Sequence, residues 1–385
     1  MTSRGLSCLL AGALALVGGG AQAEVKIGFA NPLSGDYAIS GGRNRTAVEV
    51  AVRNINDSGG VLGEPVALVA VDDACGLERA VEAARRLVAA GVVMVVGHMC
   101  SHSSLLAAGV YETADVLMIS PSSTHPRLTE EGRRNVFRLN GRDDHQGQLA
   151  AGFLAGGWSG DEMALLHDGS VYGEGLASQT RRHLRARGVR EALYERYPPG
   201  ATDHADLAAR LEAAAIEVLY VGGYGPDAAR ILRAVRARGD DLQLVGGDGL
   251  GMEEFWAIAG RAAEGTVFSA RPSPAVLPAA GLLAELRPRG SGTRSGGMAA
   301  YAAVEVWRQA VERAGSVTLT VVADMLRRGR FATVLGAVGF DDKGDLAGAS
   351  WQWQRWSAGT YLPLRAPGPS AISAAPGRAS GPAIR

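Results

Sequence analysis

From Glu24 onward the chain alternates short apolar, β-branched runs with stretches whose apolar positions recur at helical spacing. VKIGFA is followed by a helical pattern through Ala47 to Asn54, then PVALVAV, LERAVEAARRLVAA, VVMVVG, a helix from Ser103, and VLMIS. Such runs are strands buried on both faces, and helices between them predict a parallel, doubly wound α/β sheet. A second set begins near Asp143: a helix to about Gly156, MALLH, a helix from Tyr172 to Gly188, LYERY, a helix around Leu207, EVLYVGG, AARILRAVRARG and LQLVGG. That is enough for a second α/β lobe. MAAYAAVEVWRQAVERAG is strongly helical, and DDKGDLAGASWQWQRW reads as a turn and strand, which allows the chain to return to the first lobe.

In parallel α/β sheets ligands meet the carboxyl ends of the strands. Here those junctions are polar: VDDACG, GHMCSHSS, SPSSTHP, HDGSVYGEG, GGYGPD and GGDGLG. Tight glycine turns let backbone amides approach a ligand, and helix N-termini favour a carboxylate. Each junction also has a purely structural reading. Ser101 or Ser103, and Ser122 or Thr124, suit helix caps. Tyr172 and Tyr224 suit core positions with their hydroxyls at the surface, and Asp248 suits a turn. GHMCSHSS is the most ambiguous, since His98 and His102, joined by His125 and His167, are candidate metal ligands, and His beside Cys or Ser is a nucleophile pairing. The chain has no G-x-S-x-G elbow and no P-loop, and the glycines of GGDGLG have the wrong spacing for a dinucleotide fingerprint.

With 385 residues, 47% of them hydrophobic, two domains are expected. A formal net charge of zero gives no electrostatic reason to expect nucleic acid or an anionic membrane surface as partner. The first 23 residues place an Arg before a short apolar run that ends in Ala21-Gln22-Ala23, the pattern of a cleaved secretory signal peptide. Cleavage removes Cys8 and leaves Cys75 and Cys100, for which a disulfide is the default in an exported chain. The last stretch, 366–385, is rich in Ala, Pro, Gly and Ser and reads as a disordered tail.

Taken in order, VDDACG, VVGHMCSHSS, VLMISPSSTHPRLT, LLHDGSVYGEGLA, VLYVGGYGPDAARILR and VGFDDKGDLAG resemble the leucine/isoleucine/valine-binding proteins of bacterial ABC transporters, from about Val25 to about Trp356. The resemblance implies a type I periplasmic binding protein of Venus-flytrap form, two doubly wound α/β lobes joined by three hinge crossovers. The implied first lobe is 24–142 with 272–351, and the second is 143–271 with 352–365. Such a monomer closes over one L-amino acid in the periplasm and delivers it to a membrane permease, without cofactor, metal or catalysis. It also implies that Cys75 and Cys100 are bridged, so that neither thiol serves as ligand or nucleophile.

By matching motifs, Ser101 and Thr124 resemble the hydroxyls that hold the ligand α-carboxylate, and the Ser122 carbonyl accepts from its ammonium. Tyr172 packs at the cleft, Tyr224 lies beside the ligand, and Asp248 stands at the ammonium-binding carboxylate. The chain departs from the family at three of its positions. Asp248 replaces a usual Glu, Ser40 stands where an aromatic commonly borders the ligand side chain, and Gly296 or its neighbour replaces another aromatic. Smaller walls there predict a roomier or more polar side-chain pocket, so "L-amino acid" is the firmer expectation and an amide, urea or aromatic acid the alternative. A sensory module and a metal- or serine-dependent hydrolase are the rivals from other classes.

Overall fold

The computed structural model describes residues 24–272 and 297–364. The expected signal peptide, Gly296 and the C-terminal tail lie outside the described residues. Strands β1 (Val25–Asn31), β2 (Val66–Asp72), β3 (Met94–Gly97), β4 (Leu117–Ser120) and β5 (Val136–Arg138) form one parallel sheet in the order β2-β1-β3-β4-β5. A second sheet contains β6 (Met163–His167), β7 (Leu193–Arg196), β8 (Val218–Gly222), β9 (Gln243–Gly246) and β10 (Val267–Ala270) in parallel. β13 (Gln352–Ser357) and β14 (Thr360–Pro363) extend it antiparallel beside β10. Every residue of β3, β4 and β8 is buried, as the uninterrupted apolar runs require of strands covered on both faces.

The first sheet is flanked by α1 (Ala38–Asp57), α2 (Leu77–Ala89), α3 (Ser101–Thr113) and the short α4 (Arg127–Glu130). The second carries α5 (Asp143–Gly157), α6 (Val171–Arg185), α7 (Ala205–Ala213), α8 (Gly225–Ala237) and α9 (Glu253–Ala259). α2 shows why these segments are helices: Ala80, Ala83, Ala84 and Leu87 fall on one buried stripe at the spacing of a helical face. After β10 the chain returns to the first lobe, where α10 (Met298–Ala314) packs on α1 and shares its core. α11 (Leu319–Arg328) and a hairpin of β11 (Arg330–Thr333) and β12 (Gly336–Gly339) follow, elements that the apolar pattern did not announce because each is short and closes against α10.

Helix α3 begins at Ser101, two residues earlier than its periodicity suggests, with Cys100 in extended conformation at the cap position and no side-chain cap. The capping alternative also fails for Ser122 and Thr124, because the next helix starts at Arg127 behind Pro126. These hydroxyls are therefore free of the local role that their residue type would predict.

Three connections join the lobes, and they are tied to one another. Arg138, fully buried at the end of β5, donates to Asp345 (2.5 Å) and to the Thr129 hydroxyl (2.6 Å). Arg142 reaches the other Asp345 oxygen (2.9 Å), and its carbonyl accepts from the Trp351 indole (3.0 Å). Arg271, leaving β10, donates to the Leu139 carbonyl.

Cys75, after β2, is bonded to Cys100, at the start of α3, with Cα atoms 5.7 Å apart. The bridge spans 25 residues, and chain-entropy arguments give such a closure about 3 kcal/mol. The double variant Cys75→Ser/Cys100→Ser is expected to lose about that much stability in a urea titration; an unchanged midpoint would show that the bridge constrains nothing that the fold does not already hold.

Candidate functional site

The carboxyl ends of the two sheets face each other across a cavity of about 230 Å³. Ser101, Ser122, Thr124, Tyr172, Tyr224 and Asp248 all line it. Each stands at a strand-to-helix junction: Ser101 after β3, Ser122 and Thr124 after β4, Tyr172 after β6, Tyr224 after β8, and Asp248 after β9. Ser101 and Thr124 are 2% and 1% exposed, so their hydroxyls can meet only what enters the cavity or what the protein supplies.

Asp248 is the most constrained of these groups. Its Oδ1 accepts from the Tyr172 hydroxyl (2.9 Å) and Gln146 Nε2 (3.2 Å), and its Oδ2 accepts from Asn140 Nδ2 (3.1 Å). Asn140 also donates to the Ser122 carbonyl (2.9 Å), so one amide of the first lobe bridges two of the expected contacts. The Asp248 amide donates to Gln146 Oε1 (2.9 Å), and the Tyr172 hydroxyl accepts from the Gly249 amide (2.9 Å). A Cβ at Gly247 would stand 2.4 Å from Leu176 and 2.7 Å from the Tyr172 hydroxyl, and one at Gly249 would stand 2.5 Å from the Gly223 carbonyl. The glycines of GGDGLG thus let Tyr172 reach the aspartate. Burial raises the Asp248 pKa, opposed by the three side-chain donors.

Gln146, Asn140 and Asp143 were not singled out in the sequence, because a Gln and an Asp in the first turns of a helix look like ordinary surface residues. Asp143 is fully buried, and burial together with nearby Asp248 pushes its pKa well up, against the pull of Thr124 and Gln146. Asp248 on the cavity wall and the fully buried Asp143 behind it therefore bring two carboxyl groups near one another.

The histidines do not converge. His98 is fully buried between Asp73 (Nδ1 to Oδ2, 2.5 Å) and the Tyr111 hydroxyl (Nε2 to O, 3.0 Å). Its carbonyl accepts from the hydroxyls of Ser104, Ser120 and Ser123. His102 Nε2 donates to the Cys75 carbonyl (2.6 Å), and burial lowers the His125 pKa to about 4. Among the described residues no group of three or more His, Cys, Asp or Glu side chains is placed to hold a metal. In GHMCSHSS the cysteine is bridged to Cys75, and the two histidines are held by Asp73, Tyr111 and the Cys75 carbonyl, so that they brace the loop.

Contacts from the first lobe also reach the second at the cavity's other side. Ser40 donates from its amide (2.8 Å) and its hydroxyl (2.6 Å) to the carboxylate of Glu254, Arg43 pairs with Glu253, and Arg230 pairs with Asp36 (2.7 Å). The rings of Tyr37 and Tyr224 meet at 5.1 Å. These contacts belong to a closed arrangement of the lobes.

A model of the periplasmic binding protein family matches residues 24–360. The chain belongs to that family. The Leu/Ile/Val-binding protein homolog 1 of Brucella suis is 36% identical over 349 residues, which span 89% of this chain and 94% of that protein. The leucine-, isoleucine-, valine-, threonine- and alanine-binding protein of Pseudomonas aeruginosa is 36% identical over 338 residues, 86% of this chain and 90% of that one. Among solved structures, a leucine binding protein of Thermotoga maritima superposes with a TM-score of 0.79 at 26% identity, covering 89% of this chain and 98% of that one. An ABC transporter substrate-binding protein of Desulfitobacterium hafniense in complex with Leu gives a TM-score of 0.72 at 27% identity, covering 89% and 100%. The two-lobed fold of this binding protein is the type I periplasmic fold, and membership implies an extracytoplasmic place beside an ABC importer. No helix among the described residues is long and apolar enough to cross a membrane.

The burial of Asp143 has a consequence for stability. A folded-state pKa raised above the unfolded value stabilises the protein below the unfolded pKa, and that stability is lost as pH rises through the folded value. Asp143→Asn is therefore expected to unfold at the same urea concentration as the parent near pH 4 and to become the more stable of the two towards neutrality, by about 1.4 kcal/mol for each unit by which the parent's pKa is raised. Parallel urea midpoints across that range would refute the assignment.

Proposed function

We propose that this protein captures one L-amino acid, of the branched-chain class or similar, by closing its two lobes, and hands it to an ABC permease. The observation that carries this reading is the polar division of the cavity. One lobe presents the Ser101 and Thr124 hydroxyls, and the other presents the Asp248 carboxylate, the complement of a zwitterion. The names of the relatives, which specify Leu, Ile, Val, Thr and Ala, support the same class.

The binding sequence follows from the geometry. The α-carboxylate meets Ser101 at the start of α3, where free backbone amides add to the hydroxyl. The Thr124 side chain is hydrogen-bonded to the buried Asp143, which fixes that hydroxyl at the cavity wall beside the carboxylate. The α-ammonium lies between Asp248 and the second lone pair of the Ser122 carbonyl, with Tyr172 orienting the aspartate and Tyr224 walling the ligand. Because Asp248 and Ser101 come from opposite lobes, both ends of the ligand are held only when the lobes are shut. Binding thereby shifts the population towards the closed form that a permease reads. The protein acts as an exported monomer, without catalysis or cofactor, and its lobes are 24–142 with 272–351 and 143–271 with 352–365.

A thermal-shift panel of the L-amino acids tests this reading. At least one is expected to raise the melting temperature increasingly with concentration, by about 2.7 kcal/mol of apparent stability at a hundredfold excess over Kd. Stabilisation by none would overturn it. Asp248→Ala is expected to weaken the best ligand by at least about 2 kcal/mol, through an ammonium left unpaired. In the parent, affinity should fall as pH drops through the raised Asp248 pKa, because the proton then competes with the ammonium; a flat calorimetric profile would remove Asp248 from that role.

A further inference from the structure

Besides the three crossovers, the lobes touch through groups that a ligand need not reach. Ser40, on α1 of the first lobe, meets Glu254, on α9 of the second. Its amide donates to Glu254 Oε1 (2.8 Å) and its hydroxyl to Oε2 (2.6 Å). Glu254 is 3% exposed and does not line the cavity, whereas Ser40 does. Ser40 is the third residue of α1, so its amide belongs to the first turn, where a helix has no acceptor of its own. A Cβ at Gly41 would stand 1.7 Å from the Pro32 carbonyl, so glycine is what lets α1 start this close to the end of β1 and bring Ser40 to the second lobe.

Two ion pairs also cross between the lobes. Arg230 donates to Asp36 (2.7 Å), but Asp36 is nearly half exposed, and ion pairs in water contribute little. Arg43 pairs with Glu253; burial lowers the Arg43 pKa to about 10, a fall that Tyr361 and the Glu254 carboxylate oppose. Glu254 is thus the group whose environment depends most on the meeting of the lobes. A carboxylate out of water needs donors, and both of its hydrogen-bond donors belong to the first lobe. Opening the cleft separates them and returns the charge to water. The rings of Tyr37 and Tyr224 (5.1 Å) and of Tyr224 and Tyr172 (5.0 Å) carry the contact on to the hydroxyl that holds Asp248.

We infer that Glu254 is a positioning residue for ligand capture: held by Ser40, it stabilises the closed form without touching the ligand and so sets the affinity for every ligand by one common factor. This rests on the amino-acid reading above and adds to it the group that holds the shut lobes together. It also gives a reason for the serine at a position where the family resemblance implies an aromatic. Ser40 gives up the bulk of a ring and supplies the hydroxyl that Glu254 requires. The affinity observed is that of the binding-competent form discounted by its population. A less stable closed form therefore weakens all ligands alike, and chiefly through faster dissociation.

Isothermal titration of the purified chain with L-leucine, L-isoleucine, L-valine and L-alanine tests this. Glu254→Ala is expected to weaken every ligand that the parent binds by at least about fivefold, and by the same factor for each. Glu254→Gln, whose carbonyl oxygen still accepts from the Ser40 amide, is expected to recover part of the loss. Melting curves of the unliganded variants report whether they fold; if Glu254→Ala does not, Ser40→Ala carries the test from the other lobe and should weaken the same ligands alike. Unchanged affinities overturn the inference. So does a loss confined to some ligands, which would place Glu254 at the side-chain wall; the amino-acid reading survives either result. If the parent binds none of the four, the branched-chain reading fails by itself, and small-angle scattering of the unliganded chains decides the role of Glu254. A larger radius of gyration for Glu254→Ala than for the parent then supports it, and an equal one overturns it.

Discussion

A carboxylate taken out of water must be surrounded by donors or give up its charge, and the cleft of this protein is organised around that constraint at Asp248. Tyr172, Gln146 and Asn140 supply the donors, Asn140 and Gln146 from the junction between β5 and α5 and Tyr172 from the one between β6 and α6. Asn140 belongs to the connection that leaves the first lobe and Asp248 to the second lobe's sheet, so this hydrogen bond ties the crossover to the cleft. The same amide also donates to the Ser122 carbonyl. Closure, ligand orientation and the electrostatics of the site are therefore one arrangement of polar groups.

The hinge region is governed by the same economy. Arg138 and Asp345 are buried together where the chain crosses between lobes, and Arg142 completes the carboxylate's coordination. Removing either partner would strand a charge in the interior, which is far more damaging than the pair is stabilising. The neighbouring Arg271 and Trp351 fasten to backbone carbonyls of the first crossover, so movement at one connection is felt at the others. A hinge with three such strands bends as a unit, as a clamshell requires.

GHMCSHSS shows how residue type alone misleads. Two histidines, a cysteine and serines near one another are the ingredients of a metal or nucleophile site, yet His98 faces away from the cavity into a buried contact with Asp73 and Tyr111. Its carbonyl gathers three serine hydroxyls, and the disulfide fixes the other end of the turn. All of this machinery holds one small segment rigid so that Ser101 and the first turn of α3 meet the cleft in a fixed pose.

The parallel α/β alternation, the pairing of the two cysteines and the set of junctions that line the cavity were legible in the sequence, because each depends on local apolar periodicity or on motifs read in order. Ser101, Ser122, Thr124, Tyr172, Tyr224 and Asp248 were named there through the resemblance of their motifs to the Leu/Ile/Val-binding proteins, and all six line the cavity. What the sequence could not disclose was partnership across long separations. Gln146 meets Asp248 over 102 residues and Ser40 meets Glu254 over 214, and neither pairing leaves a local trace. Periodicity determined which residues would be strands and where their ends would lie; only the closing of one sheet against another decided which polar groups were satisfied by the protein and which were left for a ligand.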